Sequence, residues 1–318
     1  MGLVFISNMP GKSYQQALPP LSSSEVLLRD NLFAHVGKLA GEIGERNVWH
    51  PQQMEAAVQY IAAQFEGQGY KVHWQPFDSD GYRVNNLEVE IPGSGLSEEI
   101  ILIGAHYDAV RGSPAANDNG SGVAAVLEIA RLLAASQPQR TLRFVTFANE
   151  EPPFYFSEHM GSRFYAKQAR QRKENIVAMF SLETIGCYLD EPGSQDYPFP
   201  LGYFYPSSGN FIGFVSDLSS RKLLRQSVES FRRHTKFPSE GLAAPRWVPW
   251  VNLSDQWSFW QEDYLALMVT DTAMFRYAHY HAHTDTPDRI DYERMARVVA
   301  GLARVVAELA TPRGSIEE

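Results

Sequence analysis

Cysteine is almost absent from this chain: Cys187 is the single one in 318 residues. One thiol cannot close an intrachain disulfide, and it carries no information about compartment. It also excludes a zinc cluster built on thiolates, which needs several of them. Any metal must therefore be held by His, Asp and Glu. Positive charge is short as well. The chain has 28 Lys and Arg against 37 Asp and Glu, a formal net charge of -9. That balance lacks the basic footprint of nucleic-acid binding. No apolar run approaches the roughly 20 residues of a membrane span. Near the N-terminus, Leu3-Val4-Phe5-Ile6 has no basic flank and makes a poor signal peptide. Localisation stays open between the cytoplasm and export with a leader upstream. Internal repeats are missing too.

What remains is an ordinary globular composition, 44% hydrophobic and 20% charged, able to bury a large core. Residues 1–24, rich in Ser, Pro and Gln, read as an extended arm. Residues 25–318 read as one catalytic domain with inserted loops near 190–209 and 235–262. Helical spacing runs from Glu25 to about Ala40, and again through Met54, Ala57, Val58, Ile61, Ala62 and Phe65. Helices are expected at Val123–Ala135, at 157–172 opened by Ser157, at 217–234 capped by Asp217, and through Met295 to Leu309. Short apolar runs ending in loops mark strands at Val84–Ile91, Ile101–Ala105, Leu142–Phe147, Ile176–Leu182, Phe211–Val215 and Leu265–Val269. Strands alternating with helices predict an α/β fold of three αβα layers with a mixed, mostly parallel central sheet.

The strand ends carry the chemistry. In open α/β sheets, ligands gather beyond the carboxyl ends of the strands. Here those ends deliver His106 and Asp108, then Glu150 and Glu151, then Glu183, then the histidine-rich segment 279–285. Asp118 arrives at the start of a helix. Imidazole and carboxylate donors of this kind hold catalytic zinc with a position left for water. Two ions bridged by one carboxylate would polarise a carbonyl and activate water together. The doubled acid Glu150-Glu151 suits two jobs, one side chain on metal and its neighbour moving protons. These residues predict a metal-assisted hydrolase.

Taken in order, the motifs resemble a known family. They are His106-x-Asp108 after an apolar strand, Asp118-Asn119-Gly120-Ser121-Gly122, Glu150-Glu151 at a strand end, Glu183 before Ile185-Gly186, and His281-x-x-x-Asp285-Thr286. Together they are similar to the signature of the co-catalytic zinc aminopeptidases, metallopeptidase family twenty-eight of clan MH, which are related to glutaminyl cyclases. The resemblance covers about residues 50 to 310. It implies a zinc-dependent exopeptidase that hydrolyses the N-terminal bond of peptides with a free N-terminus, using two zinc ions per chain. By the same resemblance, His106 looks like a ligand of the first zinc, Asp108 like the carboxylate that orients it, and Asp118 like the bridge. Glu150 looks like the general base, and Glu151 and His281 like ligands of the second zinc. Counting back four residues from Asp285 gives His281 rather than His283. One position departs. The family usually has Asp where this chain has Glu183, and the extra methylene moves the carboxylate by roughly a bond length against a zinc–oxygen distance of about 2.0–2.2 Å. Whether Glu183 reaches the first ion therefore decides between two-metal and one-metal operation.

Two alternatives stand beside this expectation. One is a glutaminyl cyclase with one zinc and acyl transfer in place of hydrolysis, although Asn119-Gly120-Ser121-Gly122 resembles the peptidase branch more. The other is a non-catalytic binding domain on a peptidase fold, against which the retention of every ligand type and of Glu150 argues. The aromatic stretch Phe237, Trp247, Trp250, Trp257, Phe259 and Trp260 reads as core, or as the wall of an apolar pocket, with Asp255 at its border.

Overall fold

The computed structural model describes residues 7–312. Leu3 to Ile6 and the end of the C-terminal tail lie outside them. Residues 8–22 form a strap held against the rest of the chain. Ser13 Oγ accepts from Ser239 N, Arg232 Nη1 donates to the Pro10 and Gly11 carbonyls, and Met9 is buried. Helix α1, Ser23–Val36, starts on a reciprocal cap in which Ser22 Oγ accepts from Glu25 N and the Glu25 carboxylate accepts from Ser22 N. A wider helical turn, Gly37–Ile43, continues it. Helix α2, Pro51–Gly67, buries the Met54–Phe65 stripe that the periodicity predicts.

The strands follow as β1 His73–Ser79, β2 Tyr82–Ile91, β3 Leu96–His106, β4 Arg140–Phe147, β5 Asn175–Glu183, β6 Ile212–Ser216, β7 Ser239–Ala243 and β8 Ala266–Thr270. Between and after them lie α3 Gly122–Leu133, α4 Gly161–Gln171, α5 Arg221–His234, α6 Gln256–Trp260 and α7 Tyr292–Ala310. All eight strands join one sheet in the order β1-β2-β4-β3-β5-β8-β6-β7. The centre β4-β3-β5-β8 is parallel, β6 pairs antiparallel with β8, and β1, β2 and β4 form an antiparallel flank. The sheet is thus mixed and mostly parallel, and helices cover both faces. On one face α1, α2, α3, α5 and α7 pack into a large apolar cluster that includes Leu32, Ile61, Val126 and Val299. On the other, Tyr165 and Ala169 of α4 meet Phe259 and Trp260 of α6. Burial on both faces explains why β3, β4 and β5 read as continuous apolar runs.

Three expectations are corrected. Residues 235–262 are not irregular throughout: they hold β7 and α6. Strand β7, Ser-Glu-Gly-Leu-Ala, has no β-branched or aromatic residue and no clean alternation to show in the sequence. Helix α4 begins at Gly161 rather than Ser157. The chain bends first so that Gly161 N can donate to Ala148 O at 2.7 Å, and a side chain there would strike Asn86 Oδ1 and the Ala148 backbone. Asp217 caps the turn before α5, accepting from Ser220 N at 2.8 Å, and the helix itself starts at Arg221.

Candidate metal centre

Strands β3, β4 and β5 end side by side, and their last residues supply the site. His106 closes β3, Glu150 and Glu151 follow β4, and Glu183 closes β5. Asp118 comes from the turn into α3. The Asp-Asn-Gly-Ser-Gly run fits there for steric reasons. A Cβ on Gly122 would lie 2.4 Å from both Asn119 Oδ1 and Leu182 O, so only glycine lets the helix start this close to β5. Asn119 then ties the two elements together, donating to Leu182 O and accepting from Thr184 N. His281 lies in the loop before α7.

Two triads result, and they share one carboxylate. His106 Nε2 stands 3.4 Å from Asp118 Oδ1 and 3.2 Å from Glu183 Oε2. His281 Nε2 stands 3.0 Å from Asp118 Oδ2 and 3.3 Å from Glu151 Oε2. Donor atoms about 3.3 Å apart are the edges of a tetrahedron with metal–ligand bonds of about 2.0–2.1 Å. The histidine–carboxylate edges of both triads are of that length, and within each triad the donor atoms all lie within 4.8 Å of one another, close enough to share one ion. Several atoms of these residues also lack hydrogen-bond partners. Both ring nitrogens of His106, Asp118 Oδ2 and Glu151 Oε1 are buried and make no aligned hydrogen bond within the protein. Buried polar atoms without partners are rare and call for a ligand. This chain's residues fit a pair of divalent cations with nitrogen and oxygen donors. Glu183, longer than the aspartate expected at its place, still reaches within a coordination edge of His106. His283 is exposed and, among the described residues, belongs to neither triad.

Glu150 belongs to neither triad either. It sits beside them, its Oε2 3.8 Å from His106 Nε2, on the wall of the adjoining cavity. Asp108 lies behind. Its Oδ1 is 3.3 Å from His106 Nδ1 and accepts from Glu150 N, while Oδ2 accepts from Glu151 N. One carboxylate thus fixes the imidazole and the Glu150-Glu151 backbone together. Asp285 does the same for Asp118, accepting from Asn117 N, Asp118 N and the Tyr277 hydroxyl. Backbone in the left-handed region, rare outside glycine, occurs at Ala115, Asn149, Thr184 and His281, each in or beside a segment that supplies a donor.

The charges are closely coupled. Burial would lower His106, but Glu183, Glu150 and the contacts to Asp108 and Asp118 hold its imidazolium well above the usual range. Burial would raise Asp118, but His106 and His281 keep it ionised far below the ordinary carboxyl range. Burial and the charge on Asp118 push Glu151 up to about 7 and Glu183 up to about 8. Burial lifts Glu150 as well, with Glu151, Glu183 and Asp255 adding to it against His106. This excess of buried carboxyl groups is what cations would neutralise.

Sequence reasoning passed over Arg46. Its guanidinium is fully buried, donating to the carbonyls of Tyr107, Pro114 and Ala115 at 2.6, 2.7 and 2.9 Å. It binds the exit of β3 to the loop that carries Asp118. Burial lowers it to about 10, and Asp108, Asp285 and Asp118 oppose that. Nothing in the local sequence around Glu45-Arg46-Asn47 signals the role. Tyr280 was also missed. Its ring stacks on His281 at 3.9 Å, and burial with Asp118 and Glu151 keeps its phenol protonated, a donor on the cavity wall. Asp255, expected at the pocket border, is instead fully buried behind the site.

The cavity beside the site measures about 690 Å³. Trp247, Trp250, Leu253, Phe211, Tyr197 and Phe275 are among its walls. Of the aromatic stretch, Phe237, Phe259 and Trp260 are core, whereas Trp247 and Trp250 face the cavity.

A three-layer α/β sheet with paired His/carboxylate triads at its strand ends defines a class of metal-assisted hydrolases. The model for "Peptidase family M28" matches residues 86–306, and the chain belongs to that family. It is 34% identical to the uncharacterized protein YfbL of Escherichia coli over 274 residues, 83% of each chain. Its fold is similar to that of BSAP, a zinc aminopeptidase from Bacillus subtilis, with a TM-score of 0.71 at 14% identity, covering 93% of this chain and 97% of the other. A Bacteroides thetaiotaomicron glutaminyl cyclase bound to N-acetylhistamine superposes with a TM-score of 0.66 at 17% identity, covering 93% of this chain and all of the other.

Proposed function

We propose that the chain is a zinc-dependent aminopeptidase that removes the N-terminal residue of peptides with two co-catalytic ions. One observation carries this. The two oxygens of Asp118 face two different histidines, at 3.4 and 3.0 Å, so one side chain serves two complete triads. Zinc bound there supplies a Lewis acid for the scissile carbonyl and lowers the pKa of the attacking water to about 7. His106, Asp118 and Glu183 would hold one ion, and Asp118, Glu151 and His281 the other. Glu150, free of both triads, takes the water proton and passes it to the leaving amine. Its raised affinity for protons suits that exchange. Asp108 keeps Glu150 and His106 in register, and Tyr280 offers its hydroxyl to the substrate carbonyl. The carboxylates attract the ammonium of a free N-terminus, and the apolar walls beside them favour a bulky apolar first residue.

A panel of aminoacyl-p-nitroanilides with zinc tests this. Leu and Phe substrates are expected to turn over at least about tenfold faster than Asp, with activity lost to chelator and N-acetylated substrates spared. Cyclisation of N-terminal glutamine with one ion bound would overturn the reading in favour of the cyclase branch. Absence of chelator-sensitive turnover on every substrate would favour a binding domain.

A further inference from the structure

We infer that Ser254 is a positioning residue for Glu183, and that Ser181 and Ser254 form a two-hydroxyl relay aiming that carboxylate at the first ion. The inference rests on the reading of Glu183 as a metal ligand.

A glutamate has three side-chain torsions to fix, so reaching the ion is not enough; the carboxylate must be held there. Glu183 Oε2, the oxygen 3.2 Å from His106 Nε2, accepts from Ser254 Oγ at 2.7 Å and more weakly from Asn119 Nδ2 at 3.4 Å. Ser254 Oγ lies 3.0 Å from Ser181 Oγ. In the role of a metal ligand Glu183 is an ionised carboxylate, which only accepts, so the Ser254 proton points at it. That leaves a Ser254 lone pair for the Ser181 proton, and the direction of the chain is fixed as Ser181 to Ser254 to Glu183. Ser181 and Glu183 stand two residues apart on β5 and so share a face. Ser254 comes from the turn before α6. Both serines are fully buried, away from bulk solvent. Among the described residues, neither Asp118 nor Glu151 receives a bond from a hydroxyl. The relay therefore acts on one triad only, and a general packing role would not discriminate between the two.

Zinc-edge anomalous diffraction, on crystals equilibrated at stepped free zinc set by a chelator buffer, reads the occupancy of each site separately. Ser254→Ala is expected to weaken the His106/Glu183 site by about 10–100-fold, the usual cost of losing a residue that supports a ligand. The Glu151/His281 site should shift much less, and the melting temperature of the metal-free protein should stay close to wild type. Ser181→Ala should move the same site in the same direction by a smaller factor, and it carries the test if Ser254→Ala does not fold. Equal weakening of both sites, or no change at the first, overturns the relay while leaving the two-ion reading intact. Failure of wild-type protein to bind an ion at Glu183 overturns both.

Discussion

The two triads differ in how they are held. His106, Asp118 and Glu183 are all buried, and two of them sit on the last residues of central parallel strands. The second triad ends on His281, whose side chain keeps 33% of its exposure and which rides on a loop in the left-handed conformation. The first triad therefore inherits the rigidity of the sheet. The second depends on a loop that faces solvent and cavity. The difference separates a pre-organised position, where an ion would complete a fixed frame, from one where an ion would help to order its own ligands. The first ion should accordingly exchange more slowly than the second.

Substitutions can break or sharpen this contrast. The largest effect is expected for Asp118→Ala, which removes the shared donor. Both sites should lose affinity by more than the about 10–100-fold typical of a supporting residue, with turnover at background, as metal analysis and the nitroanilide assay would show. Retention of either ion at wild-type affinity would mean that Asp118 is no bridge. Next comes Glu150→Gln, expected to lower kcat by about 10²–10⁴-fold with both ions still bound. Loss of metal instead would show that Glu150 and Glu151 have their roles exchanged. His281→Ala should empty the second site and spare the first, which makes the asymmetry directly visible. Arg46→Met should act on the frame. The Tyr107 and Pro114 carbonyls lose their donor, while Ala115 O keeps Gly120 N, at about 1–3 kcal/mol for each carbonyl left unsatisfied, so urea unfolding should report a loss of at least about 2 kcal/mol. An unchanged midpoint would remove Arg46 from the account. His283→Ala should be the smallest, within about twofold of wild type in metal content and turnover, as for an ordinary surface position.

The same contrast explains what the sequence could and could not reveal. His106, Glu150, Glu151 and Glu183 were visible because each interrupts an apolar run, and a polar residue at the end of a doubly buried strand stands out. The central strands were legible for the same reason, and the long amphipathic helices by their period. Strand β7 and helix α6, at five residues each, are too short to show a period and are fixed by tertiary pairing. Arg46 and Ser254 were invisible because they act across long sequence separations, 61 residues from Arg46 to Tyr107 and 71 from Ser254 to Glu183. Only folding brings them to their partners. Asp255 misled because its neighbours Leu253 and Val251 do line the cavity.

Asp118 is gripped from both sides by one short stretch of chain. His281 faces its carboxylate, and four residues later Asp285 receives its backbone N–H. The loop is therefore a latch as well as a donor. If it lifted away, an ion at the second triad would lose its histidine and Asp118 would lose its backing in the same motion. An ion at the first triad would then lose part of its frame although that loop supplies it with no donor. The integrity of the proposed centre thus depends on residues 279–285 staying in place, and a contact that presses this loop down would tighten both positions at once.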